Sequence, residues 1–323
     1  MKSLLSLAFA LLSFALLATG SLLAADATPY TLPQSSDQVI QSKAGESYRV
    51  TIAWPEGEAP AGGFPVMYLL DGDENFLMAT SILRRLSGTA KAAKQNGIAP
   101  GIIVAIGYPG ESKRDFDYTP KADPGPPETY LDGKPYPPRT YGGADAFFTF
   151  LDKELRPAIE QQHKIDRTRQ TLYGTGFGGL FALHILFTQP EAFQTYIASS
   201  PSVWWNNRYI LTEEKAFTER LAEKPINARL FIGVGEFEQS LTPLEAAWPD
   251  KERDEHALKI GRRRMVDNTR ELFWRLQKLE SKGLTTQYRI FPGESHVSVT
   301  PMIAGPAMQF AFPPARDGKA KQR

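Results

Sequence analysis

Residues 170–183 read Gln-Thr-Leu-Tyr-Gly-Thr-Gly-Phe-Gly-Gly-Leu-Phe-Ala-Leu. A strand pattern ends, a glycine-rich run turns sharply, and an apolar helical pattern begins. This is the small-x-nucleophile-x-small layout of a nucleophile elbow, whose tiny flanking residues let strand and helix pack closely. The chemistry would be attack on an acyl carbonyl. Gly174 and Gly178 fill the small positions, but the position between them is Gly176, not serine. Thr175 cannot serve instead, because the shifted frame puts Tyr173 and Phe177 at the small positions. Two plainer readings compete: a simple strand–turn–helix junction, or a phosphate loop. A dinucleotide fingerprint would want three glycines at another spacing and an acid about 20 residues on.

A hydrolase of this kind presents its groups in the order nucleophile, acid, histidine. After Gly176 comes a strand pattern over 229–234 followed by Gly235-Glu236-Phe237-Glu238; after the last strand pattern comes Gly293-Glu294-Ser295-His296. Both fall just past a strand's C-terminal end, where α/β sheets place their sites. The chain has four histidines. His163 reads as a solvated helix cap, His184 as a packed core residue, and His256 as exposed among charges. His296, in a glycine-flanked loop, is the candidate base. Glu238 is the preferred orienting acid and Glu236 the second choice, with a solvated acidic turn as the plain alternative. No two histidines are spaced to share an ion, so neither a metal nor another cofactor is implied.

The elements that must position these groups alternate. Strand patterns cover 48–53, 65–71, 101–107, 170–174, 195–199, 229–234 and 287–291; helical patterns cover 74–93, 144–162, 177–189, 213–222 and 259–282. Such alternation predicts an α/β fold with a mostly parallel central sheet and helices on both faces. The runs Val66-Met67-Tyr68-Leu69-Leu70 and Ile102-Ile103-Val104-Ala105-Ile106 suit strands covered on both sides. Residues 113–141 are crowded with prolines and lack periodicity, as a functional loop does. Residues 1–27, with Lys2, an apolar centre and Ala25-Asp26-Ala27, read as a cleavable secretory signal, leaving a domain over 28–312 and a basic, frayed tail over 313–323. With 37 basic and 36 acidic side chains, the net charge of +1 gives no reason to expect a nucleic-acid partner. The absence of cysteine excludes disulfides and thiolate chemistry, and an exported chain without disulfides suits a bacterial periplasm. No stable membrane anchor is expected.

Tyr68-Leu69-Leu70-Asp71-Gly72-Asp73, Ala105-Ile106-Gly107-Tyr108-Pro109, Asp117-Tyr118-Thr119-Pro120, Gly142-Gly143-Ala144-Asp145-Ala146-Phe147, Ser200-Pro201-Ser202-Val203-Trp204-Trp205, Gly233-Val234-Gly235-Glu236 and Phe291-Pro292-Gly293-Glu294-Ser295-His296 together resemble the α/β-hydrolase esterases that open catecholate trilactone siderophores. The likeness is greatest to periplasmic enterobactin and salmochelin esterases and spans about residues 45–300. The resemblance implies an α/β-hydrolase fold, a nucleophile position at Gly176 and a general base at His296. It further implies an oxyanion hole from the backbone N–H of Phe177 and of the Gly72-Asp73 turn. Some members use a serine–histidine dyad, which leaves the acid open. Arg139 matches an arginine that holds the anionic substrate, and Trp204 and Trp205 would line the pocket, one of them as core. A surface arginine is the alternative for Arg139.

Glycine has no oxygen with which to attack an ester, so the chain as written is expected to be inactive or nearly so. A nucleophile exchanged in a working esterase and a natural chain that binds without cutting both fit. A non-catalytic binder of an aromatic anion and a carbohydrate or feruloyl esterase are the other functions open at this point.

Overall fold

The computed structural model describes residues 29–315; the expected signal segment and the tail beyond residue 315 lie outside the described residues. The chain divides into Met1–Pro33 and Gln34–Arg323, and every element below belongs to the second unit. The strands are β1 (Ser35–Gln41), β2 (Ser47–Ala53), β3 (Phe64–Leu69), β4 (Ile102–Gly107), β5 (Ile165–Thr175), β6 (Thr195–Ser199), β7 (Ala228–Gly235) and β8 (Leu284–Phe291). The helices are α1 (Gly72–Ser87), α2 (Ala90–Asn96), α3 (Arg114–Asp117), α4 (Ala144–Phe150), α5 (Arg156–Gln162), α6 (Phe177–Thr188), α7 (Ile210–Glu223), α8 (Asp250–Arg263), α9 (Met265–Leu276) and α10 (Val299–Ala311). A kinked turn at Trp205–Arg208 precedes α7.

The strands form one eight-stranded sheet in the order β1-β2-β4-β3-β5-β6-β7-β8. Pairs β1·β2 and β2·β4 are antiparallel, and every pair from β4 to β8 is parallel. This is the α/β-hydrolase architecture the sequence predicts. Every residue of β3, β4 and β6 is buried, as continuous apolar runs require when both faces are covered. Helix α6 is buried from Phe177 through Phe187. A helix apolar on all sides belongs inside a protein, and α6 packs where the elbow needs it. Beyond β4 the chain crosses to the other side of β3 to add β5, and because the strands from β4 to β8 are parallel their carboxyl ends lie at one rim. That is where an open α/β sheet holds a ligand.

Several expectations need correction. The periodic stretch 259–282 is not one helix: Arg264 takes φ 47°, and α9 restarts with the Asp267 N–H donating to Gln239 Oε1 at 3.0 Å. A cap supplied from 28 positions earlier overrides the local period. The 74–93 stretch breaks at Gly88, and Thr89 Oγ1 caps α2 by accepting from the Ala92 N–H at 3.1 Å. The 144–162 stretch widens into a π turn at Leu151–Leu155 ahead of Pro157, whose ring cannot donate to the helix ladder. Residues 113–141 are not wholly irregular, since they hold α3 and a bridge between Thr129 and Pro135. β1 and α10 are additions: β1 is too polar to show strand alternation, and α10 carries Pro301, Gly305 and Pro306.

Two of the histidines also differ from expectation. His163 is the C-cap of α5, as expected, but it is half-buried rather than solvated: its ring is tilted against Trp54 with centroids 5.1 Å apart, and burial lowers its pKa. His256 is half-buried, its ring tilted against Trp248 with centroids 5.2 Å apart, and it is paired with Glu245 at 3.2 Å. His184 is in the core, as expected, but between carboxylates: its Nδ1 lies 2.8 Å from Glu213 and its Nε2 3.3 Å from Asp145. Burial works against its charge, and hydrogen bonds to Asp145 and Glu213 more than offset that, raising the pKa to about 9.

Candidate active site

The turn from β5 into α6 is tight enough to dictate its residues. A Cβ on Gly174 would lie 2.2 Å from the Gly178 backbone, and one on Gly179 2.9 Å from the Ser199 carbonyl. Gly176, the N-cap of α6, has φ 60° and ψ −114°, a conformation that side chains adopt only under strain. Its N–H donates to the Ser199 carbonyl at 3.0 Å, and its own carbonyl accepts from the N–H groups of Leu180 and Ser202, each at 3.0 Å. These bonds tie the turn to β6 and pin the direction in which a Cβ at 176 projects. That Cβ would stand 3.7 Å from His296 Nε2 and 3.6 Å from Arg114 Nη2, with no neighbour closer.

His296 is about half exposed, on the loop after β8, and its Nδ1 lies 2.6 Å from Glu238 Oε2. A carboxylate only accepts, so Nδ1 carries the hydrogen and Nε2 presents its lone pair toward residue 176. Glu238, in the loop after β7, is 2% exposed. Its second oxygen, Oε1, accepts from Ser200 Oγ at 2.5 Å and from the Gly235 N–H at 2.6 Å. Glu236 points elsewhere. It is exposed, and its Oε2 accepts from the Gly293 N–H at 2.8 Å, stitching the β7 loop to the β8 loop. Of the two glutamates, Glu238 holds the imidazole and Glu236 the turn beneath it.

Sequence reasoning missed Arg114. Its Nε and Nη2 donate to the Asp71 carboxylate at 2.9 and 3.1 Å, and Nη2 also donates to the Thr175 carbonyl at 3.1 Å. The guanidinium carbon lies 5.6 Å from the Phe177 ring centre and 5.8 Å from that of Tyr118. Burial opposes its charge, and the Asp71 hydrogen bonds more than compensate, raising its pKa. Asp71, at the N-cap of α1 with φ 52°, thereby ties the end of β3 to the elbow. Asp73 turns its carboxylate away, accepting from the Tyr108 N–H at 2.8 Å and from Arg49 at 3.2 Å. Gly72 is buried against β4. Only the backbone of the Gly72-Asp73 turn is therefore open to an oxyanion role, beside the Phe177 N–H that opens α6.

Arg139 lies on the surface, paired with Asp115 at 2.9 Å, one residue beyond Arg114. Trp204 tilts against Phe177 with centroids 6.0 Å apart, while Trp205 is buried and meets Tyr141 edge-on at 5.5 Å. The proline-rich segment is fastened over this wall. Asn206 Oδ1 accepts from the Gly125 N–H at 2.5 Å, and Arg263 donates to both Glu128 oxygens at 2.8 and 2.7 Å. Among the described residues no group of three or more His, Asp or Glu side chains gathers to hold a metal ion, and no helix is long and apolar enough to cross a membrane.

Sequence comparison places this geometry among known proteins. The chain is 36% identical over 293 residues to the ferri-bacillibactin esterase BesA of Bacillus subtilis, covering 88% of this chain and 92% of that protein. It is 35% identical over 289 residues to the siderophore triacetylfusarinine C esterase of Aspergillus fumigatus, covering 84% and 91% of the two chains. The solved structure of the siderophore hydrolase EstA from Aspergillus nidulans superposes with a TM-score of 0.77 at 30% identity, covering 90% of this chain and 97% of its own. The profile of the Esterase family, described as "Putative esterase", matches residues 42–293, from β2 through the loop that leads to His296. With the elbow, the acid and the histidine loop all on that matched stretch or at its edge, the chain belongs to the Esterase family.

Proposed function

We propose that this chain carries the site of a periplasmic carboxylic-ester hydrolase for trilactone siderophores, with glycine at the nucleophile position. The observation that carries the reading is the line from buried Glu238 through His296 to Gly176, at 2.6 Å and then 3.7 Å to a Cβ. A serine there would place Oγ within hydrogen-bond range of Nε2, about 2.6–3.2 Å. Nε2 takes the Oγ proton as oxygen attacks the lactone carbonyl, then returns it to the departing alkoxide. In the second half His296 activates water against the acyl-enzyme. Glu238 keeps the ring oriented and stabilises the imidazolium. Charge developing on the carbonyl oxygen is met by the N–H of Phe177 and of the Gly72-Asp73 turn, each such donor contributing about 3–4 kcal/mol.

As written, the chain lacks the attacking oxygen, and loss of that group costs about a million-fold in turnover. What it retains is ligand binding. The names of the relatives, which specify siderophore esters, support the substrate class. Arg139 and Trp204, with Trp205 behind them as packing, supply the cation and ring surface that an anionic aromatic chelate requires.

The test assays the chain and its Gly176→Ser variant on ferric enterobactin and on a phenyl ester, with products separated by chromatography. Cleavage of the siderophore by the serine form alone is the expected result. Cleavage of only the phenyl ester would refute the substrate class and favour a carbohydrate or feruloyl esterase. No cleavage by a folded serine variant would refute the hydrolase reading and leave a binding protein.

A further inference from the structure

The Glu238–His296 pair is complete although residue 176 carries no hydroxyl for it to act on. His296 Nδ1 meets Glu238 at 2.6 Å, and Glu238, 2% exposed, has its other oxygen held by Ser200 and the Gly235 N–H. This leaves Nε2 as an oriented lone pair aimed at residue 176. Loss of a serine nucleophile ordinarily idles the histidine too, so that single and combined losses cost about the same. Glycine differs from every other replacement in the space it opens. Around the point where a Cβ would stand, the nearest atoms are Arg114 Nη2 at 3.6 Å, His296 Nε2 at 3.7 Å and His296 Cε1 at 3.9 Å. That volume borders an acceptor on one side and a positive charge on the other, and Asp71 and the Thr175 carbonyl hold the arginine there. A small volume with such polar walls suits a water molecule.

We propose that Gly176 seats a water in front of His296 Nε2, and that the chain hydrolyses bound esters slowly and directly, with that water as the nucleophile. The inference rests on the esterase reading, since it uses the same acid, base and oxyanion donors. As the water oxygen bonds to the carbonyl carbon, Nε2 takes one of its protons. The carbonyl electron pair moves onto oxygen, opposite the Phe177 N–H and the Gly72-Asp73 turn. When that pair returns, the C–O bond to the alkoxide breaks and the imidazolium gives the alkoxide its proton. One ester and one water become one acid and one alcohol, with no acyl-enzyme. The Arg114 charge favours the incipient hydroxide beside it. An alanine at 176 would put its methyl in the water's position, 3.7 Å from Nε2, and leave the base idle.

The rate lies far below that of a serine form, which alone registers in an assay of multiple turnover. The experiment is therefore a single turnover, with protein in excess over a phenyl ester or over ferric enterobactin, followed for hours by chromatography. The parent chain is expected to hydrolyse the ester about a hundredfold faster than Gly176→Ala or His296→Ala, the lower end of what a positioned general base contributes. A serine-directed organophosphate should leave the parent rate unchanged and abolish that of Gly176→Ser. His296→Ala removes a half-exposed side chain from a loop, so it tests the base even if Gly176→Ala does not fold. Equal rates in the parent and the folded variants, or loss of the parent rate to the organophosphate, overturn the inference and leave the esterase reading to stand on an active Gly176→Ser. Inertness of a folded Gly176→Ser protein as well overturns both.

Discussion

Placing a side chain on Gly176 sets backbone strain against the bonds a serine could make. At φ 60° and ψ −114° an L-residue is strained by about 1–3 kcal/mol. Space does not add to this, since a Cβ would meet nothing nearer than Arg114 Nη2 at 3.6 Å. Reduced freedom of the unfolded chain returns about 0.4–1 kcal/mol. For serine, a hydrogen bond from Oγ to His296 Nε2 returns about 0.5–1.5 kcal/mol more. Gly176→Ala should therefore be less stable than the parent by about 1–2 kcal/mol, and Gly176→Ser by less than that. In a chain of this length about 1 kcal/mol moves Tm by about 2–4 °C. The assay is calorimetry of the three proteins at one pH, with an expected order of parent, then serine, then alanine, and a fall of about 2–8 °C for alanine. An alanine variant as stable as the parent would refute the strain argument. A serine variant less stable than alanine would refute the Oγ–Nε2 bond, and with it the geometry assigned to the nucleophile.

The two glutamates separate in the serine background. Glu238→Gln, whose single amide oxygen is held by the Ser200 and Gly235 donors and whose NH2 then faces His296 Nδ1 in place of an acceptor, is expected to lower kcat about ten-thousand-fold. Glu236→Gln, whose amide oxygen can still accept from Gly293, should lower it less than about tenfold; comparable losses in the two would mean that the wrong acid has been assigned. His184 gives a stability prediction. Its folded pKa of about 9 lies above the ordinary 6.5, so the stabilisation is full below pH 6.5 and is lost as the pH rises through about 9. The loss should be on the order of 3 kcal/mol in urea midpoints converted to free energy, and it should vanish in His184→Gln. An equally steep decline in that variant would assign the effect to other groups.

The parts of the fold legible in the sequence are those whose cause is local. β3 and β4 are continuous apolar runs, and burial on both faces is the environment in which such runs persist as strands. α6 starts where glycine permits the turn and runs apolar until Thr188. β1 was not legible because an edge strand is held by its partner's backbone, through seven pairings with β2, and its side chains can stay polar. α10 was hidden by the opposite effect. Pro301 falls in its first turn, where no N–H is needed, and Pro306 is carried by the burial of Ile303, Ala304, Ala307 and Met308 around it.

The candidate site divides along the same line. Gly174, Gly176 and Gly178 are bracketed in sequence because the turn itself would clash or strain with anything larger, so spacing alone identifies them. His296 is visible for a related reason, since a loop leaving the sheet at Gly293, with φ 79°, brings it over the elbow. The choice between Glu236 and Glu238 is not written in the spacing. Past the end of β7 strand alternation no longer applies, and what orients Glu238 inward is the Ser200 hydroxyl, 38 positions away, acting together with the Gly235 N–H. Arg114 is invisible for the same cause. Its direction is fixed by Asp71, 43 residues earlier, and by the Thr175 carbonyl, 61 residues later, and neither leaves a local pattern. A role set by backbone geometry can be read from neighbours in the chain, whereas a role set by a distant partner becomes visible only when the fold brings that partner alongside.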